Sequence, residues 1–530
     1  MNKQIETVLN YHNRTKHRLE RYAKGPESID WEDQPDQFRH FSGCEIVTLP
    51  KPGGELDVLF SALDSPETIT AQPLTLVNVS LLLELAFGLS AWKQFGPSRW
   101  ALRCNPSSGN LHPTEAYVIS TGQNDLKNGV YHYVSHDHTL EQRCRFSDNM
   151  TESSLAIGLS SVHWREAWKY GERAFRYCQH DLGHAIGALR YAAATLGWSI
   201  ELIAEMSDDD IAQLLGLNRH EDFKALEHES PDLICRINIG IDSKPFDVDA
   251  LIAVAKTGIW SGKADSLRAY HLYKWPVIDE VAIAASKPST KEPKWQAVQS
   301  LPLPTDCKQT ATSLIRQRRS AQQFDGKMSP MSQADFYRIL SAVLPTSPAF
   351  QAWRWSAKIH LFIFVHRVEG LAPGVYALPR NHEALEKLKA GTLETFMWQS
   401  VAKEIPLYHL YSGDCRQFAK TLSCHQPIAS DSAFSLGMVS EFSDTMNDAA
   451  WLYRRLFWET GLIGQVLYLE AEAAGYRGTG IGCYFDDSVH ELLGFNDEQF
   501  QSLYHFTIGK PLEDKRIETL PAYEHLARQL

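Results

Sequence analysis

The chain has 530 residues, 44% of them hydrophobic, with 52 Lys and Arg against 64 Asp and Glu and a net charge of −12. This balance excludes non-specific binding to nucleic acid or to an anionic membrane, and the length allows roughly two to four domains of about 150 residues each. No apolar run reaches the roughly 18 residues of a membrane span.

In chain order, residues 1–60 are polar and aromatic and read as an N-terminal arm packed on a first domain. Leu81 to Leu89 is an apolar helix candidate. Arg103 to Tyr117 is a polar loop bounded by Gly and Pro that feeds a short strand at Ala116 to Ile119. Ala185 to Leu196 has the apolar spacing and alanine content of a buried helix. Asp208-Asp-Asp opens a helix with the acidic residues its N-terminus prefers. Leu233 to Gly240 alternates as a strand does. Pro288, Pro293, Pro302 and Pro304 then mark a semi-rigid linker. Beyond it the order repeats: a helix from Ser332 to Leu344, a strand from Ile359 to Val365, a turn at Gly374, a long helix from Asp448 to Ala474 and a strand from Tyr504 to Ile508. The expected domains are 1–260, linker 261–308 and 309–530. The class is α+β, each domain a sheet of few strands wrapped by helices.

The two halves are copies of one another. Gly183 matches Gly461, Gly197 matches Gly475 and Gly216 matches Gly494, each pair 278 positions apart. Ile237-Asn-Ile-Gly240 matches Phe506-Thr-Ile-Gly509, and Asn128-Gly-Val-Tyr131 matches Pro373-Gly-Val-Tyr376. Two units of about 250 residues indicate a tandem duplication, a pseudo-dimer in one chain. Further oligomerisation of that pseudo-dimer stays open. Nine scattered cysteines without Cys-x-x-Cys suit a reducing compartment, and with no signal-peptide apolar region the expected location is cytoplasmic.

Four segments carry chemistry-bearing residues. The loop Pro106-Ser107-Ser108-Gly-Asn110 offers hydroxyl and amide groups to a heteroaromatic edge. Arg316, Arg318 and Arg319, followed by Ser320, suit a phosphate, because arginine is always charged and bidentate. Gly475 to Gly482 holds four glycines in eight residues and lets the backbone approach a flat ligand. Lys510, Lys515 and Arg516 follow the last strand. Taken singly, each segment also fits a bland reading: a turn, a solvated basic helix face or a surface loop. His180 and His184 stand four apart, as metal ligands on a helix do, but no third ligand is evident. They read as structural or substrate-lining, and no metal is expected.

Together and in this order, the segments resemble the flavin-dependent nitroreductase superfamily. Within it, they are similar to the dehydrogenases that oxidise azolines in thiazole- and oxazole-modified peptides. The resemblance implies FMN at the interface of the two halves. Arg318, Arg319, Ser320, Lys510 and Arg516 would serve the phosphate, and Gly480, Ile481 and Gly482 would lie near flavin N5. Pro106, Ser107, Ser108 and Asn110 would come from the other half. Gln322 stands where the family often has a cation near the flavin pyrimidine.

The first half has Ser61-Ala-Leu-Asp-Ser-Pro-Glu-Thr68 in place of the arginine start. The second has Phe350-Gln-Ala-Trp-Arg-Trp-Ser356 in place of the Ser/Asn loop. One interface site therefore keeps both components and its reciprocal keeps neither, which implies one FMN per chain. Lys169-Tyr170 resembles the acid/base pair of azoline oxidases, and its copy is Asn447-Asp448; packing and capping is the alternative role. The implied activity is dehydrogenation of a heterocyclic or peptide-derived substrate. The alternatives are an NAD(P)H-dependent nitro or quinone reductase and a flavin-free binding partner in a biosynthetic complex. The partners expected are a small-molecule or peptide substrate, with NAD(P)H a candidate reductant.

Overall fold

The computed structural model describes residues 2–527 except 51–52, 124, 148–149, 151, 225–226, 241–246, 269–272 and 296. Each half is built on an antiparallel sheet. In the first half the strands are β1 (Thr114–Thr121), β2 (Gly129–Val134), β3 (Thr139–Arg145), β4 (Ser154–Ser161), β5 (Trp198–Leu202) and β6 (Ser230–Ile239). In the second they are β7 (Ile359–Val365), β8 (Gly374–Leu378), β9 (Tyr408–Ser412), β10 (Phe434–Glu441), β11 (Arg477–Ile481) and β12 (Phe500–Gly509). These strands run β3-β2-β1-β4-β6-β5 and β9-β8-β7-β10-β12-β11, each of the first six with a counterpart six numbers on. Glu45–Thr48 and Ile259–Trp260 add to the edge of the first sheet and Gln399–Ser400 to that of the second. The strands are more numerous than the sequence suggested. Their inward faces are continuous apolar runs, as in Ile359-His-Leu-Phe-Ile-Phe-Val365, where alternation is hidden because both faces are buried.

Between the sheets lie two 22-residue helices, α1 (Ala174–Thr195) and α2 (Leu452–Ala473). Nearly every residue of each is buried, because each packs on its own sheet, on the other helix and on surrounding loops. The matched glycines account for this geometry. A Cβ on Gly183 would run into the Trp458 carbonyl and lie 2.7 Å from Gly461 Cα. A Cβ on Gly461 would run into the His180 carbonyl and lie 2.8 Å from Gly183 Cα. The helices cross where only hydrogen fits, and the contact is the same from both sides. Gly216 (φ 73°) and Gly494 (φ 92°) end matching eight-residue helices in left-handed caps, a conformation that costs a side chain energy.

The outer faces carry separate cores. Ile211, Leu215, Leu251 and Ile252 cover the first sheet, and Leu388, Leu422, Val489 and Leu493 cover the second. The N-terminal helix Lys3–Arg14 bridges the halves. Tyr11 Oη donates to Glu172 O at 2.7 Å, while His12 Nδ1 meets Tyr453 Oη at 3.1 Å. The proline-rich segment is docked rather than free. It contains a helix, Pro276–Ala284, and Trp295 N donates to Arg354 O at 2.9 Å. The C-terminal segment also crosses over. Its strand Glu518–Leu520 pairs with Leu89–Phe95, which pairs with Ser98–Arg103. No helix of the described residues is long and apolar enough to cross a membrane.

Candidate functional site

Two cavities of about 270 Å³ each meet at Pro106, Ser107 and Ser320, between the halves. The first is lined by Lys93, Arg103, Asn110, Arg318, Arg319, Gln322 and Arg477, the second by Ser108, Tyr170, Asp181, Gly480, Ile481, Gly482 and Cys483. The first-half loop thus meets the second-half arginine start and glycine segment on one surface.

The first cavity is the cationic end. The helix Ala311–Gln317 stops at Arg318, whose side chain turns inward and is 3% exposed. Arg318 Nε and Nη2 each donate at 3.0 Å, to the Cys104 and Arg103 carbonyls of the first half. Its guanidinium lies 5.1 Å over the Tyr468 ring, and Nη1 is buried without a hydrogen-bond partner. Arg319 Nη2 donates to Ser90 O at 2.9 Å. Arg103 donates through Nη2 to Gln37 O at 2.5 Å and leaves Nε unpartnered. Burial lowers Arg318 and takes Arg103 and Arg319 down to about 10. Arginines held this way, with no carboxylate in ion-pair contact among the described residues, match a site that receives an anion. Arg477, by contrast, is already paired with Glu513 and lies 3.4 Å from Glu472.

The second cavity is polar and aromatic. Asp181 on α1 organises the loop: it accepts from Ser107 Oγ at 2.6 Å, Ser108 N at 3.0 Å and Ser108 Oγ at 3.0 Å. Burial raises its carboxyl to about 7. The loop holds left-handed backbone at Gly109 (φ 59°), Asn110 (φ 60°) and His112 (φ 51°), and the last two are strained for residues with a side chain. Asn110 Nδ2 is spent on Ala101 O at 2.9 Å and its Oδ1 meets His112 Nε2 at 3.0 Å. Gly480 N donates to Tyr468 Oη at 2.9 Å, and Ser320 Oγ lies 2.8 Å from the same oxygen. A Cβ at Gly480 would collide with Tyr504 Oη, and one at Gly482 with the Tyr177 ring. These glycines therefore admit the protein's own tyrosines to the strand.

Lys169 and Tyr170 end the helix His163–Tyr170, and both reach the loop. A Cβ on Gly109 would stand 2.6 Å from Tyr170 Oη and 3.1 Å from Lys169 Nζ. Burial lowers Lys169 below the ordinary lysine range, opposed by nearby Glu166, and raises Tyr170 well above the ordinary phenol range. Glu166 is fully buried with both carboxyl oxygens unpartnered, and burial pushes it well up. His184 lines the cavity and meets Tyr504 Oη at 3.1 Å, while His180 bonds to Leu503 O at 3.0 Å.

Three residues of the expected set line neither cavity: Lys510, Arg516, and Lys169, whose Nζ lies beside the cavity residue Gly109. Lys510 Nζ donates to Gly475 O at 3.1 Å and lies outside both cavities. Arg516 pairs with Asp514 at 2.7 Å and is exposed over Phe95. Beyond Gly509 the chain still lines the first cavity, through Pro511, Leu512, Glu513, Asp514 and Ile517, but the Lys510 and Arg516 side chains are spent on Gly475 O and Asp514. Lys93, Arg103 and Arg477 are the other cations lining the first cavity; Arg103 and Arg477 lie in segments singled out from the sequence, whereas nothing in the sequence around Lys93 pointed to the site. Asp181 and Tyr468 were also missed; both point inward from helices that read only as core.

Residues 315–510 match the Nitroreductase family. Over nearly its whole length the structure is similar to that of a nitroreductase-like protein from Anabaena variabilis, with a TM-score of 0.69, 20% identity, and 96% of this chain and 99% of that chain covered. The chain has the nitroreductase-superfamily fold. A nitroreductase-like protein of Methanocaldococcus jannaschii is 24% identical over 165 residues, 28% of this chain and 78% of that protein. A chain of the Escherichia coli microcin synthetase McbBCD complex with truncated pro-MccB17 aligns at a TM-score of 0.26 and 16% identity, covering 46% of this chain and 95% of that one.

Proposed function

We propose that this nitroreductase-fold chain is an FMN-dependent oxidoreductase that holds one FMN between its halves and dehydrogenates a heterocyclic or peptide-derived substrate. The observation that carries the reading is Arg318, which lines the first cavity with a buried, partnerless Nη1, beside the other half's Pro106, Ser107 and Asn110. Arg318, Arg319 and Arg103 would hold the phosphate. The segment Gly480–Gly482 and the loop 106–110 would border the ring system. Bound flavin supplies the two-electron redox chemistry, and the protein supplies position and proton handling.

Lys169 Nζ is the base in this reading. Desolvation favours its neutral form, which can take a proton from a substrate carbon in the second cavity. Tyr170 stays protonated and donates a hydrogen bond that orients the substrate. Asp181 holds the Ser107 and Ser108 hydroxyls in place, so these serines border the site through their backbone.

The test is a titration of the chain with FMN, followed by flavin fluorescence and by absorbance after unbound flavin is removed. Saturable quenching and retained yellow colour are expected. A chain that neither quenches nor retains FMN would remove the reading and leave the flavin-free alternative.

A further inference from the structure

A pair of cysteines stands at the border of the second cavity. Cys483 follows β11 and lines that cavity. Cys424 lies on the turn after the helix Arg416–Leu422. Phe485 N donates to Leu422 O at 2.9 Å, and Gln426 Nε2 donates to Cys483 O at 3.3 Å. These bonds bracket Cys424 and Cys483 and tie their two segments together, and each thiol shifts the other's titration. The turn is strained, with two consecutive non-glycine residues, Cys424 (φ 51°) and His425 (φ 60°), in the left-handed region.

The N-terminal arm delivers a third group. His17 N donates to Asp486 Oδ2 at 3.0 Å, and His17 O accepts from Asp486 N at 3.1 Å. Its Nδ1 accepts from Ala23 N at 2.9 Å, so in the neutral ring the proton is on Nε2, and the side chain meets the Cys483 thiol. The Arg173 guanidinium donates to Gly482 O at 3.2 Å and sets a fixed positive charge beside the same sulfur. Tyr170 and Tyr177 complete the surroundings of Cys483, and Tyr22 faces Cys424.

We propose that Cys483 and Cys424 form a dithiol–disulfide site whose substrate is a low-molecular-weight disulfide admitted through the cavity. The Cys483 thiolate attacks one sulfur of RSSR. The S–S bond breaks, a Cys483–SR mixed disulfide forms and RS⁻ leaves. Cys424 then loses its proton and attacks the Cys483 sulfur, expelling the second RS⁻. The two protein thiols are oxidised to one disulfide, RSSR is reduced to two RSH, and the protons released by the cysteines go to the departing thiolates.

The division of roles follows from the surroundings. Cys424, then His17 and Arg173 beside it, lower Cys483 below the ordinary thiol range, and Cys483 is the one of the two that lines the cavity. Burial raises Cys44, Cys104, Cys144, Cys178, Cys235 and Cys415. A thiolate with a resolving thiol beside it is the arrangement of redox-active cysteines in reducing compartments, where disulfides are transient.

The experiment uses the full chain, reduced and freed of reductant, then exposed to hydroxyethyl disulfide and mapped by non-reducing peptide mass spectrometry. A Cys424–Cys483 linked peptide is expected. Cys424→Ser should accumulate the mixed disulfide at Cys483, and Cys483→Ser should abolish the linkage. His17→Ala should remove the preference of iodoacetamide for Cys483 over the other cysteines at mildly acidic pH. No linked peptide in the unmodified chain, or Cys483 labelled no faster than the buried cysteines, overturns the proposal.

Discussion

The two interface sites of the pseudo-dimer sit on matching frames and have opposite contents. At one, β11 and the 106–110 loop border cavities of about 270 Å³ each, and Arg318 carries an unanswered donor. At the other, β5 and residues 351–354 border a cavity of about 120 Å³. There Arg354, although its Nε is also buried without a partner, is ion-paired with Glu205 at 2.8 Å, and Trp295 of the docked segment lies against its backbone. The first-half segment Ser61–Thr68, read from the sequence as the counterpart of the arginine start, holds no arginine, and its Asp64 is taken by Arg338 at 2.7 Å. The matching sheets fit the tandem repeat read from the sequence, and the two halves differ in the segments that border these two places. A fused chain permits this, because each copy mutates alone, whereas a symmetric dimer must change both sites at once.

Three substitutions sharpen that contrast. The largest effect is expected at the acid/base pair. Lys169→Ala should lower dehydrogenation by ~100- to 10,000-fold with FMN retained, as loss of a general base does. Asn447→Ala, at the exposed counterpart, should change nothing; turnover of a verified substrate under single-turnover conditions reads both. Next, Arg318→Ala removes charge-assisted hydrogen bonds of roughly 1.5–3 kcal/mol each and should weaken FMN binding by about tenfold or more. Arg354→Ala should leave the FMN dissociation constant unchanged. Equal losses from the two arginines would erase the distinction between the sites.

The smallest contrast lies in the scaffold. Gly183→Ala and Gly461→Ala each push a methyl into the facing helix carbonyl, and overpacking of this kind costs about 1–3 kcal/mol. Denaturant unfolding should show the two losses alike, because the helix crossing has stayed symmetric where the chemistry has not. A loss at one glycine only would mean that the crossing, too, has diverged.

The repeat was legible in the sequence because its markers are glycines with backbone jobs: a helix crossing at Gly183 and Gly461, left-handed caps at Gly216 and Gly494. Such jobs tolerate no side chain, so they survive in the letters. The complementary loss of parts was legible for the same local reason, since the arginine start and the Ser/Asn loop are short contiguous segments. Lys510 and Arg516 were assigned from their place after the last strand, and that segment does line the cavity, but their side chains are taken by Gly475 O and Asp514, partners that the order of residues does not reveal. Lys93 and Arg103 reach the cavity through the three-stranded sheet that the C-terminal strand joins. Asp181 was hidden in α1, where a buried carboxylate reads as an oddity until its serine partners are brought beside it.

The account rests on one interface site being built for flavin and its twin being closed. Its most direct test is the FMN content of the reconstituted chain, measured as flavin absorbance against protein concentration after unbound FMN is removed. One FMN per 530-residue chain is the expected result; a ratio of two would show that the closed site binds as well and would contradict the account.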